Sequence, residues 1–437
     1  MEPWKADRIL ALAPDPASAK AGQGLSSPQK WVSLGQDEEA LWGECLGSGA
    51  SPYQTQIDLS EPAFKCTCPS RKFPCKHGLG LFLMLGPKIP AIDGTQPDWV
   101  KKWLATRKEK VQAKKEKLDK PAEIVDPAAQ AKRAAERTRK VTAGIDEFMP
   151  WLFDLTRGGL ANIPAGGNYF EQPRARLVDA QAPGVARWVG ELEEIAHAGP
   201  QWHVRLLEEV SSLFLLTEAF RRIDSLPAET QADVRALLGF ITREEDVLQG
   251  APIRDTWQVL GQKSVDEDRL RVQRTWLCGV QTQRPALILT FAPMNQPVKS
   301  NLVAGMQWEA DLVFHPSAYP LRALIKERTS DSTPIKSYRG YDSIPAALSA
   351  YSEALGKQPW TNRFPLSLGR ASVLHHGGNW LVRDEGGSAL PLRPRFSRAW
   401  ELLALGGGHP LEIFGEFDGK SFAPLSACSE GEFHDLA

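Results

Sequence analysis

Four side chains within twelve residues constrain this chain more than anything else in it. Cys66, Cys68, Cys75 and His77 fall in the segment PheLysCysThrCysProSerArgLysPheProCysLysHis (64–77) with the spacing C-x-C-x6-C-x-H. Zinc takes four such donors in a tetrahedron, at about 2.3 Å to sulfur and about 2.0–2.1 Å to imidazole nitrogen. Those bonds bring neighbouring sulfurs to roughly 3.8 Å, whereas residues i and i+2 of a strand lie about 6.6–6.8 Å apart. The backbone must therefore bend at Cys66–Cys68, and Pro69-Ser70 supplies the turn. Pro74 then delivers Cys75 to the start of a helix, where free N–H groups and the helix dipole favour a thiolate. With every donor a protein side chain, no coordination position stays open, so the expected zinc is single and structural, not catalytic. The alternative, buried free cysteines beside a solvated histidine, requires four metal-binding side chains to cluster by chance.

The flanking pattern supports a small metal-stabilised unit. AlaLeuTrpGlyGluCysLeu (40–46) and the alternating TyrGlnThrGlnIleAspLeu (53–59) enclose GlySerGlyAlaSerPro, which reads as a hairpin. LeuGlyLeuPheLeuMetLeu (79–85), closed by Gly86-Pro87, reads as a short apolar helix. C-x-C-x(n)-C-x-H after a hairpin and before an apolar helix resembles the SWIM zinc finger, over roughly residues 30–105. The resemblance implies a β-β-α fold, places the family's zinc ligands on Cys66, Cys68, Cys75 and His77, and implies either DNA binding or protein–protein contact.

At 437 residues the chain is too long for one core. Its texture divides it into a flexible leader (1–29), the zinc module (30–98), a basic helical linker (99–125), a helical domain (126–254) and a mostly β domain (255–437). The fold class is thus α+β multidomain. Three-to-four residue apolar spacing over 186–195, 202–216 and 232–241 marks the helices. Asp418-Gly419, between 411–417 and 421–425, is the strongest hairpin signal. No apolar run approaches the roughly 18 residues that cross a bilayer, and the opening MEPWKADRILALAPDP lacks the pattern of a signal peptide. Three of six cysteines fall within ten residues, the clustering of a metal site in a reducing cytoplasm rather than a secreted disulfide framework.

The net charge of −1 hides an asymmetry: residues 101–140 hold 14 Lys and Arg against 6 Asp and Glu, an excess of +8, leaving −9 elsewhere. Such a run either faces a polyanion or is a solvated linker helix. Trp99 and Trp103 among those lysines either stack on bases or dock the helix onto the zinc module, and docking is favoured. The zinc module and this helix together offer Lys65, Arg71, Lys72, Lys76, Lys101, Lys102, Arg107 and Lys108 as phosphate contacts on one basic surface. His375-His376 reads as a hairpin tip, and Cys45, Cys278 and Cys428 as packed thiols without a neighbouring His or acid at useful spacing. No phosphate loop, nucleophile elbow or H-E-x-x-H occurs. The expectation is a binding protein, not an enzyme, with no small-molecule substrate evident. A nucleic-acid-binding module leads narrowly over a protein–protein scaffold.

Overall fold

The computed structural model describes residues 6–13, 16–46, 51–59, 63–70, 72, 74–85, 96–119, 127–164, 168–267, 270–293, 298 and 300–437. Helices α1 (Ala6–Ala11) and α2 (Pro16–Gln23) precede a four-stranded antiparallel sheet in sequential order, β1 (Trp31–Gln36), β2 (Ala40–Cys45), β3 (Tyr53–Asp58) and β4 (Ala63–Cys66). Helix α3 (Lys76–Phe82) follows, then α4 (Asp98–Asp119). The expected hairpin is β2–β3, with Leu41 opposite Ile57 and Cys45 opposite Tyr53.

The pleat gives this sheet two faces. Leu41, Cys45 and Ile57 pack with Leu81, Phe82 and Met84 from the α3 side. Ala40 and Trp42 point the other way and meet Val100 and Leu104 of α4, with Trp99 and Trp103 packed at the edge. The tryptophans thus dock their helix. The basic helical linker expected over 99–125 is helical over Asp98–Asp119, and its first turns, through Lys108, seat on the sheet.

The flexible leader expected over 1–29 is corrected. Ile9 is buried in the same core as Leu81 and Phe82, and α2 lies against α3 at very short range. A Cβ on Gly22 would meet Leu79 Cβ at 2.7 Å, and one on Gly80 would meet Leu25 Cβ at 2.6 Å. Trp31 Nε1 also donates to Leu25 O at 2.9 Å. The packed face of α2 is built of small residues such as Ser18 and Gly22, so it carries no apolar periodicity to read.

The helical unit comprises α5 (Pro127–Arg157), α6 (Glu171–Asp179), α7 (Pro183–Ile195), α8 (Trp202–Arg221) and α9 (Ala228–Leu238), followed by the short α10 (Glu244–Leu248). One apolar core joins them, with Val141, Ile145 and Leu152 of α5, Leu177 of α6, Val185 and Val189 of α7, Leu213 and Leu216 of α8, and Val234 of α9.

The C-terminal unit holds two six-stranded antiparallel sheets. The first contains β5 (Ile253–Glu267), β6 (Leu270–Gly279), β7 (Pro285–Pro293), β8 (Met306–Phe314), β9 (Ala323–Arg328) and β10 (Thr333–Pro334). After α11 (Ile344–Lys357) come β11 (Phe364–His376), β12 (Asn379–Asp384), β13 (Ala389–Pro391), α12 (Ala399–Gly406), β14 (Leu411–Phe417), β15 (Phe422–Ser429) and β16 (Glu432–Asp435). The second sheet runs β13-β12-β11-β14-β15-β16. Leu260 and Trp276 of the first sheet pack against Phe414, Leu425 and Phe433 of the second, with Tyr338 between them. Within this interface Arg274 clasps Glu416 at 2.9 and 3.2 Å, and Trp276 Nε1 donates to the same carboxylate at 2.9 Å. The helical unit is fastened to this one by Asp233, which accepts from Ala318 N and Gln358 Nε2, and by Trp360 Nε1 donating to Ser212 O. No described helix is long and apolar enough to cross a membrane.

Candidate metal centre

Strand β4 ends on Cys66, the chain turns through Cys68, and Cys75 occupies the N-cap of α3 in extended conformation, so that His77 falls in the first helical turn. The ligand atoms of Cys66, Cys68, Cys75 and His77 all lie within 4.8 Å of one another. Nδ1 of His77 faces the sulfurs, 3.7 Å from Cys66 and 4.0 Å from Cys75. Donors around a tetrahedral zinc stand about 3.5–3.8 Å apart, so small side-chain shifts close the shell. With Nδ1 as ligand the imidazole proton resides on Nε2, outside the shell.

Three thiols at this range cannot all ionise by themselves. Negative charge settles on Cys66, held down to about 4 by the thiol of Cys75 above all, then by His77, Thr55 and the Cys68 N–H. The same interaction, with burial, pushes Cys75 up, and burial raises Cys68. A dication removes the conflict, because it stabilises all three thiolates together. Three sulfurs and one imidazole, half to fully buried, suit zinc, and these residues are positioned to bind one zinc ion with no position left open.

Two surrounding groups were not foreseen in the ligand spacing. Thr55, fully buried and directly opposite Cys66 across β3–β4, donates its hydroxyl to Cys66 Sγ at 3.1 Å. The Tyr53 ring lies 5.2 Å from that of His77. Both belong to the alternating set 53-55-57, which the pleat of β3 puts on one face. Cys45 shares that face as a packed thiol, its Sγ 3.4 Å from Lys30 O.

The expected basic surface does not assemble as a unit. Arg107 Nε donates to Asp58 at 3.0 Å and its guanidinium lies 5.6 Å from the Trp103 ring centroid, while Lys108 pairs with Glu39 at 2.9 Å. Both therefore tie α4 to the sheet, and as placed here their charges are met within the module. Lys65 alternates with the core-facing Phe64 and Cys66, which directs it to the α4 side, whereas Lys76 sits on α3 across the sheet. Lys72, Lys101 and Lys102 are exposed, and Arg71 lies outside the described residues.

His375 and His376 stand at the expected hairpin tip, where Gly377 and Gly378 take φ of 57° and 79°. Cys278 is a packed thiol pushed up to about 12 by burial and the Asp255 charge. Cys428 is a packed core thiol, as expected, and Glu412 is its direct partner across β14–β15. Counting back from the Asp418-Gly419 turn in register sets Glu412 against Ala427. An extra residue in β15 between Pro424 and Ser426 shifts the pairing by one.

A family model described as the SWIM zinc finger matches residues 53–86. A second, described as the SWIM-associated four-helix bundle domain, matches residues 136–238, the span from α5 to the end of α9. No curated protein and no solved structure matches the chain. The resemblance seen in the ligand spacing thus extends to a second region that the zinc motif alone does not reach.

Proposed function

We propose that this protein is a zinc-stabilised protein-interaction scaffold, in which the finger organises the N-terminal unit and performs no chemistry. The observation that carries the reading is the use made of α4. Its tryptophans and two of its cations hold the helix to the finger's sheet, where a nucleic-acid arm would present them outward. Apolar surface is available elsewhere: Val204, Leu207, Phe214 and Leu215 of α8, with Phe153 of α5, are between 37% and 49% exposed. Phe153 and Phe214 stack edge to face at 5.7 Å. Aromatic and aliphatic side chains on a rigid helix face suit contact with another protein.

The test is purification of the tagged, zinc-loaded chain from its own cells at physiological salt, with and without nuclease. A stoichiometric protein that survives nuclease and is lost with a folded Leu207→Ser/Phe214→Ser variant supports the scaffold. Co-purified nucleic acid whose removal releases every partner refutes it.

A nucleic-acid role stands as the second reading because the +8 excess over residues 101–140 persists, and Lys101 and Lys102 remain exposed. That reading requires affinity that falls steeply with salt.

A further inference from the structure

A cavity of about 660 Å³ opens at one end of the interface between the two C-terminal sheets. It lies among the α12–β14 loop, the β15–β16 turn and the Lys336–Ser337 segment. Its size falls in the range of about 300–1,000 Å³ typical of small-molecule sites.

The construction centres on Glu412. On one side of β14, Leu368 pairs with Ile413 and Ala371 with Leu411, so Gly369 and Arg370 bulge out opposite Glu412. On the other side its partner is Cys428. Strand bulges of this kind re-aim side chains beside binding sites. Behind them, buried Tyr338 donates its N–H to Glu412 Oε2 at 2.9 Å and its hydroxyl to Glu412 O at 3.0 Å and Ser426 O at 3.3 Å. The carboxylate is thereby fixed at the cavity wall by backbone and a buried ring.

No cation answers it. Its donors are neutral, the Tyr338 N–H and the Cys428 thiol, and burial pushes its pKa up. Glu416, four residues on, has Arg274 and is lowered despite deeper burial. The carboxyl end of α12 also borders the cavity, adding negative potential. At the mouth stand Lys336 and His409, both exposed, whose side chains make no hydrogen bond or ion pair among the described residues; Arg370 is engaged by Glu385. Among the described residues the finger holds the only group of three or more His, Cys, Asp and Glu close enough together to bind a metal.

We propose that this cavity binds a small zwitterion of amino-acid size, its ammonium group on the Glu412 carboxylate and its acid group toward Lys336. A pre-placed anion in a half-buried wall and an unengaged cation at the mouth match the two ends of such a ligand, and the mixed lining favours neither a purely acidic nor an apolar one. The site stands apart from the finger and does not depend on the scaffold reading.

Isothermal titration of the full zinc-loaded chain with each of the twenty protein amino acids tests it, with methylamine and acetate as half-ligand controls. At least one amino acid should saturate below about 10 mM and bind more tightly than either control. Glu412→Gln keeps an acceptor for the Tyr338 N–H and should weaken that ligand at least about tenfold. Lys336→Met, at an exposed position, should weaken the amino acid but leave methylamine unchanged. The proposal is overturned if no amino acid saturates, if acetate alone binds as well as the amino acid, or if the Lys336→Met split is absent.

Discussion

Thr55→Val isolates one hydrogen bond at the metal centre. Valine reproduces the shape of threonine, so the fully buried packing at position 55 is kept while the donor to Cys66 Sγ at 3.1 Å disappears. A hydrogen bond to a charged acceptor contributes about 1.5–3 kcal/mol, and loss of a group that orients a metal ligand lowers affinity about 10–100-fold. The two figures agree, since a factor of ten is about 1.4 kcal/mol. Thr55 is one of several donors that favour charge on Cys66, after Cys75 and His77, which places the expected loss near the lower end, about tenfold. Competition with a chromophoric chelator at neutral pH measures it, and far-UV circular dichroism at saturating zinc checks the fold. An affinity within twofold of the parent would refute the reasoning, because the hydroxyl would then be packing and nothing more. Loss of the fold at saturating zinc would refute it from the other side.

Zinc removal by a strong chelator should unfold the finger selectively, since structural zinc contributes on the order of 10 kcal/mol or more in small units; limited proteolysis should then cut within residues 1–119 while the helical and C-terminal units persist. Arg274→Ala should destabilise the C-terminal unit by about 3 kcal/mol, because Glu416 would remain buried with Trp276 as its hydrogen-bond donor and only the unbonded Arg363 charge nearby; a thermal melt reads this, and Arg274→Met with Glu416→Leu should recover most of it. His315 adds a pH dependence. Burial, then the Arg322 charge, holds its imidazole down to about 4 from an ordinary 6.5. The unfolded chain therefore binds the extra proton first, so stability should fall as pH drops from about 6.5 to 4. His315→Phe should flatten that slope in urea melts, and an unchanged slope would contradict it.

The metal centre was legible because coordination chemistry dictates residue type and spacing together, and the four ligands lie in one short segment. The β2–β3 hairpin and the Asp418-Gly419 turn were legible for a similar reason: turn chemistry is local. The packing of α2 was not, because close helix contact over Gly22 and Gly80 leaves no apolar stripe. The fate of Arg107 and Lys108 was not either, since their partners Asp58 and Glu39 lie 49 and 69 residues away and a lysine reads the same whether paired or free. Glu412 beside Cys428 depends on a one-residue bulge in β15, and a slip of one position moves a side chain to the opposite face.

The most direct test of the scaffold reading is fluorescence anisotropy of the zinc-loaded protein against labelled single- and double-stranded DNA. It is run at low and at physiological salt, beside a Lys101→Glu/Lys102→Glu variant. The scaffold reading expects no saturable binding at physiological salt, and no difference between parent and variant in whatever weak association low salt permits. Micromolar or tighter binding that falls steeply with salt and disappears in the variant would contradict it and restore α4 as a nucleic-acid surface.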